Sequence, residues 1–242
     1  MSEKKKTEKT KNLNAGHRKR MRHKYIKGGI EVFAEHEIIE LLLFSTVPRK
    51  NTNKMAHQIL NEFGSLHALF DATPQEILRR TEVSEQTAVL FSMIPQIFKR
   101  YSYSKNDKKL NFKNSKTMGE FIKLAFIGKV YECFYIMCLD NSLNVLSHEI
   151  IQEGTLDIVQ LNLRDIAEVA ITNKSSYVVL AHNHPSGSQT VSREDILATS
   201  DIKYVLEKFN IEVLDHFVIA NDNYISFAEN NFCGLRGIDQ LK

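Results

Sequence analysis

The amino-acid sequence predicts an α/β protein in which a small all-helical domain precedes a mixed sheet flanked by helices. Up to about residue 103, the apolar side chains recur at helical spacing. Beyond it, helical segments alternate with short apolar, β-branched runs, which is typical of a sheet with helices on its faces. The predicted domains are a basic disordered tail at 1–15, a helical domain at 16–103, a linker at 104–116 and an α/β domain at 117–242.

The composition is that of an ordinary globular protein and excludes several other classes. The 242 residues are 43% hydrophobic and 25% charged, and no run approaches the roughly 20 apolar residues of a membrane helix. The lysine-rich start has no apolar stretch behind it, so we do not expect a secretory signal. The three cysteines are odd in number and not in CxxC spacing, which disfavours a disulfide framework and predicts a cytoplasmic location.

The distribution of charge is uneven, although the net charge is only +3. Lysines and arginines crowd the first 27 positions, where Glu3 and Glu8 oppose them. A solvated tail explains such a run. An arm that contacts nucleic-acid phosphates also explains it. The sequence leaves both interpretations open, so a weak DNA contact through the basic N-terminus is one candidate partner interaction.

Four helical segments are predicted in the N-terminal domain, over 35–44, 52–64, 71–80 and 84–103. Gly64 stands where a helix commonly ends in the left-handed conformation. Thr73, Pro74 and Glu76 fit the N-cap, N1 and N3 positions of a helix start. Ser84 is expected to cap the longest segment.

The C-terminal domain is predicted from periodicity and turn residues. Polar, lysine-rich residues 102–116 separate it from the first domain. Gly128 closes its first helix, and Asn141 with Ser142 forms the turn of a hairpin. The predicted helices are 117–128, 162–173 and 192–209, and the predicted strands are 133–140, 143–151, 176–182, 211–220 and 224–227.

The stretch HNHPSGSQTVSRED at 182–195 contains residue types suited to a metal site. His182 and His184 are two residues apart, so at a strand end their side chains point to one face. Each offers an imidazole nitrogen at about 2.0–2.1 Å from a shared zinc. A proline and a glycine then turn the chain, and Asp195 in the first turn of the next helix is a candidate third ligand. Such a set with one open position is typical of catalytic zinc.

A structural interpretation of the same stretch is also open. Ser192 and Asp195 fit an S-x-x-D helix start, with Ser192 as the N-cap and acidic residues in the first turn. The two histidines would then be hydrogen-bonded polar residues at a strand end. The interpretations are compatible, because Ser192 can cap the helix and still face a metal site.

A hydrolytic zinc site also needs a base that takes a proton from the attacking water. Each candidate glutamate is also explained as an exposed charge, and spacing does not choose among them. The candidates are Glu132, Glu149, Glu153 and Glu168.

The motif matches the JAMM (MPN) metalloprotease pattern, which is H-x-H-P, six residues, then S-x-x-D. Over roughly residues 15–235 the chain resembles the bacterial RadC family. The segments that carry the likeness are GHRKRMRHKY (16–25), ELLLFSTVPRKNT (40–52), FGSL (63–66), EGTLD (153–157), LAHNHPSG (180–187), SREDI (192–196) and LDHFVIA (214–220).

The resemblance implies a JAMM/MPN-like fold for the C-terminal domain and hydrolysis of a peptide or isopeptide bond by a zinc-activated water. It implies that His182, His184 and Asp195 are the zinc ligands. It also implies that Ser192 supports the water and the tetrahedral intermediate.

The resemblance favours Glu132 as the base, because the catalytic glutamate of JAMM proteases lies at the start of the first core strand. Glu149 and Glu153 are the alternatives. His216 also matches a RadC feature, and we interpret it as a hydrogen-bonded structural residue rather than a fourth ligand.

For the N-terminal domain the resemblance implies a helix-hairpin-helix-like module, a type that binds DNA backbones through a glycine-containing hairpin. This chain has RRTEVSEQT (79–87) at that hairpin, with no glycine and two acids. Since glycine permits close backbone approach to a phosphate, the departure disfavours DNA binding there.

Two hypotheses of different classes follow. The leading one is a cytoplasmic zinc metallohydrolase of the RadC type, a JAMM metalloprotease acting on an unidentified protein or peptide. The alternative is a DNA-associated repair or recombination accessory protein that uses the metal fold as a binding scaffold.

Overall fold

The computed structural model describes residues 16–48, 50–104, 110–154 and 162–241. The chain divides into two compact units, Met1–Ile97 and Phe98–Lys242. The predicted tail at 1–15 lies outside the described residues. Within the described ranges, no helix combines the length and the apolar content needed to cross a bilayer.

The N-terminal unit is helical, as predicted. Its helices are α1 at 16–28, α2 at Glu35–Thr46, α3 at Asn53–Phe63, α4 at Leu66–Asp71, α5 at Pro74–Arg80 and the first part of α6, which spans Glu85–Ser104. Helices α1 and α4 are absent from the sequence prediction. The basic run of α1 masks its apolar periodicity, and α4 has only six residues.

Local capping sets the predicted helix ends. Gly64 adopts a φ of 82°, and its N–H bonds to the Leu60 carbonyl, which ends α3. Thr73 caps α5 by accepting a hydrogen bond from the Glu76 N–H at 3.2 Å. Pro74 occupies the first turn of that helix, where its missing N–H is not needed.

A buried carboxylate joins three helices of this unit. Glu40 of α2 is 0% exposed, and it accepts hydrogen bonds from the Thr52 hydroxyl and the Asn53 amide, both at 3.1 Å. His17 of α1 lies 3.2 Å from the same carboxylate. These partners compensate the cost of burying the acid. The apolar core beside it comprises Ile39, Leu43, Ala56, Ile59, Phe63, Leu69, Ala72, Ile77, Ala88 and Phe91.

The C-terminal unit is built on a five-stranded mixed sheet of order β2-β1-β3-β4-β5, which confirms the predicted fold class. Strand β3 pairs antiparallel with β1 and parallel with β4, and the two outer pairs are antiparallel. The strands are β1 at Cys133–Leu139, β2 at Val145–Glu153, β3 at Tyr177–Asn183, β4 at Glu212–Ala220 and β5 at Asn223–Ser226. The helices are α7 at Ser115–Lys123, α8 at Leu163–Thr172 and α9 at Arg193–Glu207.

Alternation of side chains along the strands gives the sheet two different faces. One face packs with α7, as in the cluster that joins Tyr135, Ala181 and Met118. The other face packs with α8 and α9, as in the cluster that joins Leu180, Ile166 and Ile202. The metal motif belongs to the second face, because His182 follows Leu180 by one strand period.

Residues at the end of the predicted linker pack against the sheet of the C-terminal unit. Residues 105–109 lie outside the described ranges, but Phe112 is buried, with its ring centroid 5.2 Å from that of Phe121. The Leu110 carbonyl accepts a hydrogen bond from the Val145 N–H at 2.8 Å. The surrounding lysines and asparagines make this segment look polar, and one aromatic side chain is enough to anchor it.

Gly119 lets α7 pack closely on β5. A Cβ atom at this position would lie 2.6–2.9 Å from carbons of the Tyr224 ring. We expect Gly119→Ala to lower the free energy of unfolding by about 1–3 kcal/mol through overpacking, as measured by urea denaturation. In a Tyr224→Ala background the same substitution should instead stabilise by up to about 1 kcal/mol, because alanine is the better helix former. An effect of the same sign in both backgrounds would contradict the contact.

Candidate metal centre

The end of β3 places two imidazoles on one face of the sheet. His182 pairs with Phe134 of β1 and with Val218 of β4. The His184 N–H continues the pairing with β4 by donating to the Ile219 carbonyl at 2.8 Å. Extended geometry therefore persists to residue 184, and the side chains two residues apart point the same way.

A tight turn takes the chain away from the sheet directly after His184. The Gly187 N–H donates to the His184 carbonyl at 2.9 Å, and Gly187 has a φ of 76°. A Cβ atom there would lie 2.6 Å from the Asn221 amide nitrogen. Both the backbone angle and the close neighbour require glycine.

The start of α9 positions the carboxylate. Ser192 is the N-cap, and its hydroxyl accepts the Asp195 N–H at 3.0 Å. The Asp195 carboxylate in turn accepts the Ser192 N–H at 2.7 Å. This reciprocal capping box confirms the predicted helix start. It fixes the Asp195 side chain, which is 1% exposed.

Three potential ligands converge at this corner. The Nε2 atoms of His182 and His184 are 3.0 Å apart. Asp195 Oδ1 lies 3.3 Å from His182 Nε2, and Oδ2 lies 3.7 Å from His184 Nε2. Two zinc ligands in a tetrahedral site lie roughly 3.3 Å from each other. The His182–His184–Asp195 group, whose ligand atoms all lie within 4.8 Å of one another, therefore has the geometry to hold a metal ion.

The chemistry of the donor atoms also suits a cation. His184 Nδ1 is 2.9 Å from the Ser188 carbonyl, which can only accept, so Nδ1 carries the hydrogen and Nε2 presents a lone pair. The Ser192 N–H that donates to the Asp195 carboxylate at 2.7 Å, together with the positive end of α9, favours the ionised form of this acid. An ionised carboxylate beside imidazole nitrogens is a typical zinc donor set.

The other nitrogen of His182 faces a buried polar chain. His182 Nδ1 lies 2.8 Å from His216 Nε2, and His216 Nδ1 lies 2.6 Å from the Thr199 hydroxyl. Thr199 in turn donates to the Asp195 carbonyl at 2.6 Å. His216 is thus hydrogen-bonded by its neighbours, as expected. Thr199 was not among the residues predicted from the sequence, although its position four residues after Asp195 on one helix face was a usable signal.

Asn183 fixes the segment that carries Glu132. Its side-chain oxygen accepts the Cys133 N–H at 2.7 Å, and its amide donates to the Tyr131 carbonyl at 3.0 Å. These two bonds hold the residues immediately before and after Glu132 against the end of β3. On the β2 side, the Glu132 carbonyl accepts the Gly154 N–H at 3.0 Å. Asn183 was not predicted from the sequence, because its partners are 50 and 52 residues away in the chain.

The four candidate glutamates occupy different surroundings, and none of them joins the metal group found in the described part of the chain. Glu132 is half-buried immediately before β1. Glu153 is ion-paired with Lys129 at 2.9 Å. Glu149 on β2 and Glu168 on α8 are exposed.

Asp215 supports the backbone of His216 from β4. Its buried carboxylate accepts hydrogen bonds from the His216 N–H at 2.7 Å, the Ser226 hydroxyl at 2.6 Å and the Ala228 N–H at 2.9 Å. Burial nevertheless dominates and raises the pKa of Asp215 to about 6. The acid therefore holds its proton more tightly in the folded than in the unfolded chain.

This raised pKa predicts a stability difference between wild type and Asp215→Asn that depends on pH. Between about pH 4 and pH 6 the folded state binds more protons at this site, so stability falls as the pH rises. The contribution of Asp215, roughly 2–3 kcal/mol, should be complete below pH 4 and lost above pH 6. Urea denaturation of both proteins across this window tests it. A difference that grows with pH in favour of wild type would refute the assignment.

Comparison with known proteins agrees with the fold and the metal group. The family described as a RadC-like JAB domain matches residues 112–232. A UPF0758 protein of Fusobacterium nucleatum subsp. nucleatum is 33% identical over 224 residues, which is 89% of this chain and 96% of that protein. UPF0758 proteins of Janthinobacterium sp. and Pseudoalteromonas translucida are 30% and 28% identical, and each match covers 87% of this chain and 94% of the relative. The chain therefore belongs to the RadC family.

Proposed function

We propose that this protein is a zinc-dependent metallohydrolase of the JAMM type that cleaves a peptide or isopeptide bond. The observation that carries the proposal is the convergence of His182, His184 and Asp195 on one buried corner. Zinc, when bound there, polarises a carbonyl group and lowers the pKa of water towards about 7. The family membership supports a JAB-type site.

The exposure of the three side chains indicates the direction of substrate approach. His184 is 13% exposed, whereas His182 and Asp195 are each 1% exposed. The protein interior closes one side of the group, and the other side faces solvent beside His184. A bond to be hydrolysed therefore reaches the site from the His184 side.

Glu132 is the proposed base. It precedes Phe134 by two residues, and Phe134 pairs with His182. The strand period therefore favours a Glu132 side chain on the face that carries the metal group. In this role the carboxylate accepts the proton of the attacking water and passes it to the leaving amine. The ion pair of Glu153 with Lys129 makes that alternative less suited to the role.

Ser192 is proposed to assist the reaction through its hydroxyl hydrogen. A hydroxyl has one hydrogen and two lone pairs, and the helix cap uses only a lone pair. The hydrogen is then available for the attacking water or for the oxygen of the tetrahedral intermediate. Capping and catalysis can therefore share one side chain.

The remaining features support a cytoplasmic enzyme with two domains. Cys133, Cys138 and Cys233 are free thiols, which is typical of a reducing compartment. We keep residues 16–103 as the proposed helix-hairpin-helix-like domain and residues 117–242 as the proposed metallohydrolase domain.

Metal analysis combined with a peptide and isopeptide cleavage screen tests the proposal. We expect about one zinc per chain in wild type and in Glu132→Gln, and far less in His184→Ala, because a chelating nitrogen is lost. Glu132→Gln should reduce cleavage at least about 100-fold through loss of the base.

Matched controls separate these roles from general damage. His67→Ala removes an exposed histidine outside the group and should keep the zinc, and Glu168→Gln removes an exposed acid and should keep the activity. Equal, substoichiometric zinc in wild type and His184→Ala would rule out the metal site. Full activity of Glu132→Gln would rule out the assigned base.

A second candidate function is supported by one face of α1. Arg18 donates to the Phe44 carbonyl, and Lys24 to the Glu37 carboxylate, so both side chains are engaged within the helical unit. Four further cations of the helix are exposed and extend the lysine-rich N-terminus: Lys19, Arg20, Arg22 and Lys27. Such a face fits the phosphates of DNA, as expected of a repair or recombination accessory protein.

Substitution of the four exposed cations of α1 by glutamine tests DNA binding. Deletion of residues 1–24 is less suitable, because it removes the buried Met21 and the contacts of Arg18. If α1 binds DNA, affinity should fall, and the dependence of log K on log salt should weaken by up to about 0.9 per lost phosphate contact. The control substitutes four exposed cations elsewhere: Lys113, Lys116, Arg164 and Arg193. Equal effects of both sets, or no salt dependence, would exclude a specific role for α1.

A further inference from the structure

We propose that Thr199 and His216 are positioning residues that set the tautomer of His182, so that its Nε2 lone pair points to the metal. With Asp195 and His182 they form a chain of hydrogen bonds, the Asp195–Thr199–His216–His182 relay. The inference rests on the proposed function, since it assumes that the His182–His184–Asp195 group binds zinc. Beyond that function, it assigns roles to two residues that are not ligands.

The direction of the relay is set at its first member. The Asp195 main-chain carbonyl lies 2.6 Å from the Thr199 hydroxyl oxygen. A carbonyl oxygen only accepts, so the single hydrogen of Thr199 must lie in this contact. If Thr199 donated elsewhere, two oxygen atoms would face each other at 2.6 Å without a hydrogen between them. Thr199 therefore acts as donor to Asp195.

The direction then passes to His216. Because Thr199 has given its hydrogen to Asp195, it can only accept at its 2.6 Å contact with His216 Nδ1. Nδ1 of His216 therefore carries a hydrogen. The ring is 0% exposed and packs against Phe134 and Phe227, and a charged imidazolium in this apolar cage would be costly. A neutral ring with a hydrogen on Nδ1 has a lone pair on Nε2.

The contact between His216 and His182 then sets the tautomer of the proposed ligand His182. His216 Nε2 accepts at its 2.8 Å contact with His182 Nδ1, so His182 carries its hydrogen on Nδ1. Its Nε2 atom is left with a lone pair, 3.0 Å from Nε2 of His184. The Ser188 carbonyl fixes His184 in the same tautomer. Two lone pairs held face to face repel each other until a cation lies between them.

The relay begins and ends on ligands of the same metal group. Asp195 contributes its carboxylate to the group and its main-chain carbonyl to Thr199. The hydrogen-bond direction at His182 therefore depends on the backbone of α9. Without the hydroxyl of residue 199, His216 is free to donate through Nε2, which would place the hydrogen of His182 on the atom that faces the metal.

Thr199→Val and Thr199→Ser test the relay in the full chain. Thr199→Val keeps the shape and removes the hydroxyl, and we expect zinc affinity to fall about 10–100-fold. Thr199→Ser keeps the hydroxyl and should bind within about threefold of wild type. Affinity is measured by competition with a chromophoric zinc chelator. Ser200→Ala is the matched control, because Ser200 makes the same kind of bond to the carbonyl of Ile196 on the exposed side of α9.

Nitrogen-15 NMR of the histidine rings in metal-free protein gives a second readout. Wild type and Thr199→Ser should show His182 with its hydrogen on Nδ1, and Thr199→Val should show a mixture or the opposite tautomer. Thr199→Ala serves in the same way if the valine variant does not fold. Wild-type protein that binds no zinc but keeps the expected tautomer would overturn only the proposed function. A Thr199→Val protein with unchanged tautomer and zinc affinity would overturn the relay.

Discussion

The pairing of β3 on both of its edges is the constraint on which the candidate metal centre depends. Antiparallel bonds to β1 and parallel bonds to β4 hold the strand at the centre of the sheet. Continued pairing to β4 keeps His184 in extended geometry after the strand ends. Asn183, between the two histidines, ties the start of β1 to the same strand end. Sheet pairing therefore orients the imidazoles before any metal binds. The conformational entropy of these side chains is lost on folding, so metal binding does not have to reduce it again.

Asp195 shows how a helix start and a candidate metal ligand can use the same atoms. Its carboxylate completes the capping box with Ser192, and the same oxygens face His182 and His184. The positive end of α9 favours the ionised carboxylate, which is also the form that binds a metal. One geometry is therefore compatible with both the structural and the functional interpretation of this stretch.

Residues that are close in the sequence could be predicted, and residues that depend on distant partners could not. The histidine pair and the S-x-x-D helix start are local patterns, so spacing alone was enough to propose the candidate ligand group and the Ser192 cap. The resemblance to the RadC family then favoured the metal interpretation. Thr199 and Asn183 matter only because β4 and β1 come to lie beside them. The burial of Phe112 could not be predicted either, since a lone aromatic residue in a lysine-rich segment gives no periodicity. The mixed sheet was predictable because several short apolar, β-branched or aromatic runs interleave with helical segments along the chain.

The two-residue spacing of the histidines equals the side-chain period of the strand that carries them. This match limits which insertions and deletions the protein can tolerate. A one-residue insertion or deletion at the start of β3, before Val178, would turn Val178, Leu180 and His182 to the opposite face together. The apolar core and the ligand group would be disrupted in one step, and such a chain would be removed as a folding failure. Folded descendants that lose the ligand group should therefore arise by substitution of single side chains, with the length of β3 unchanged.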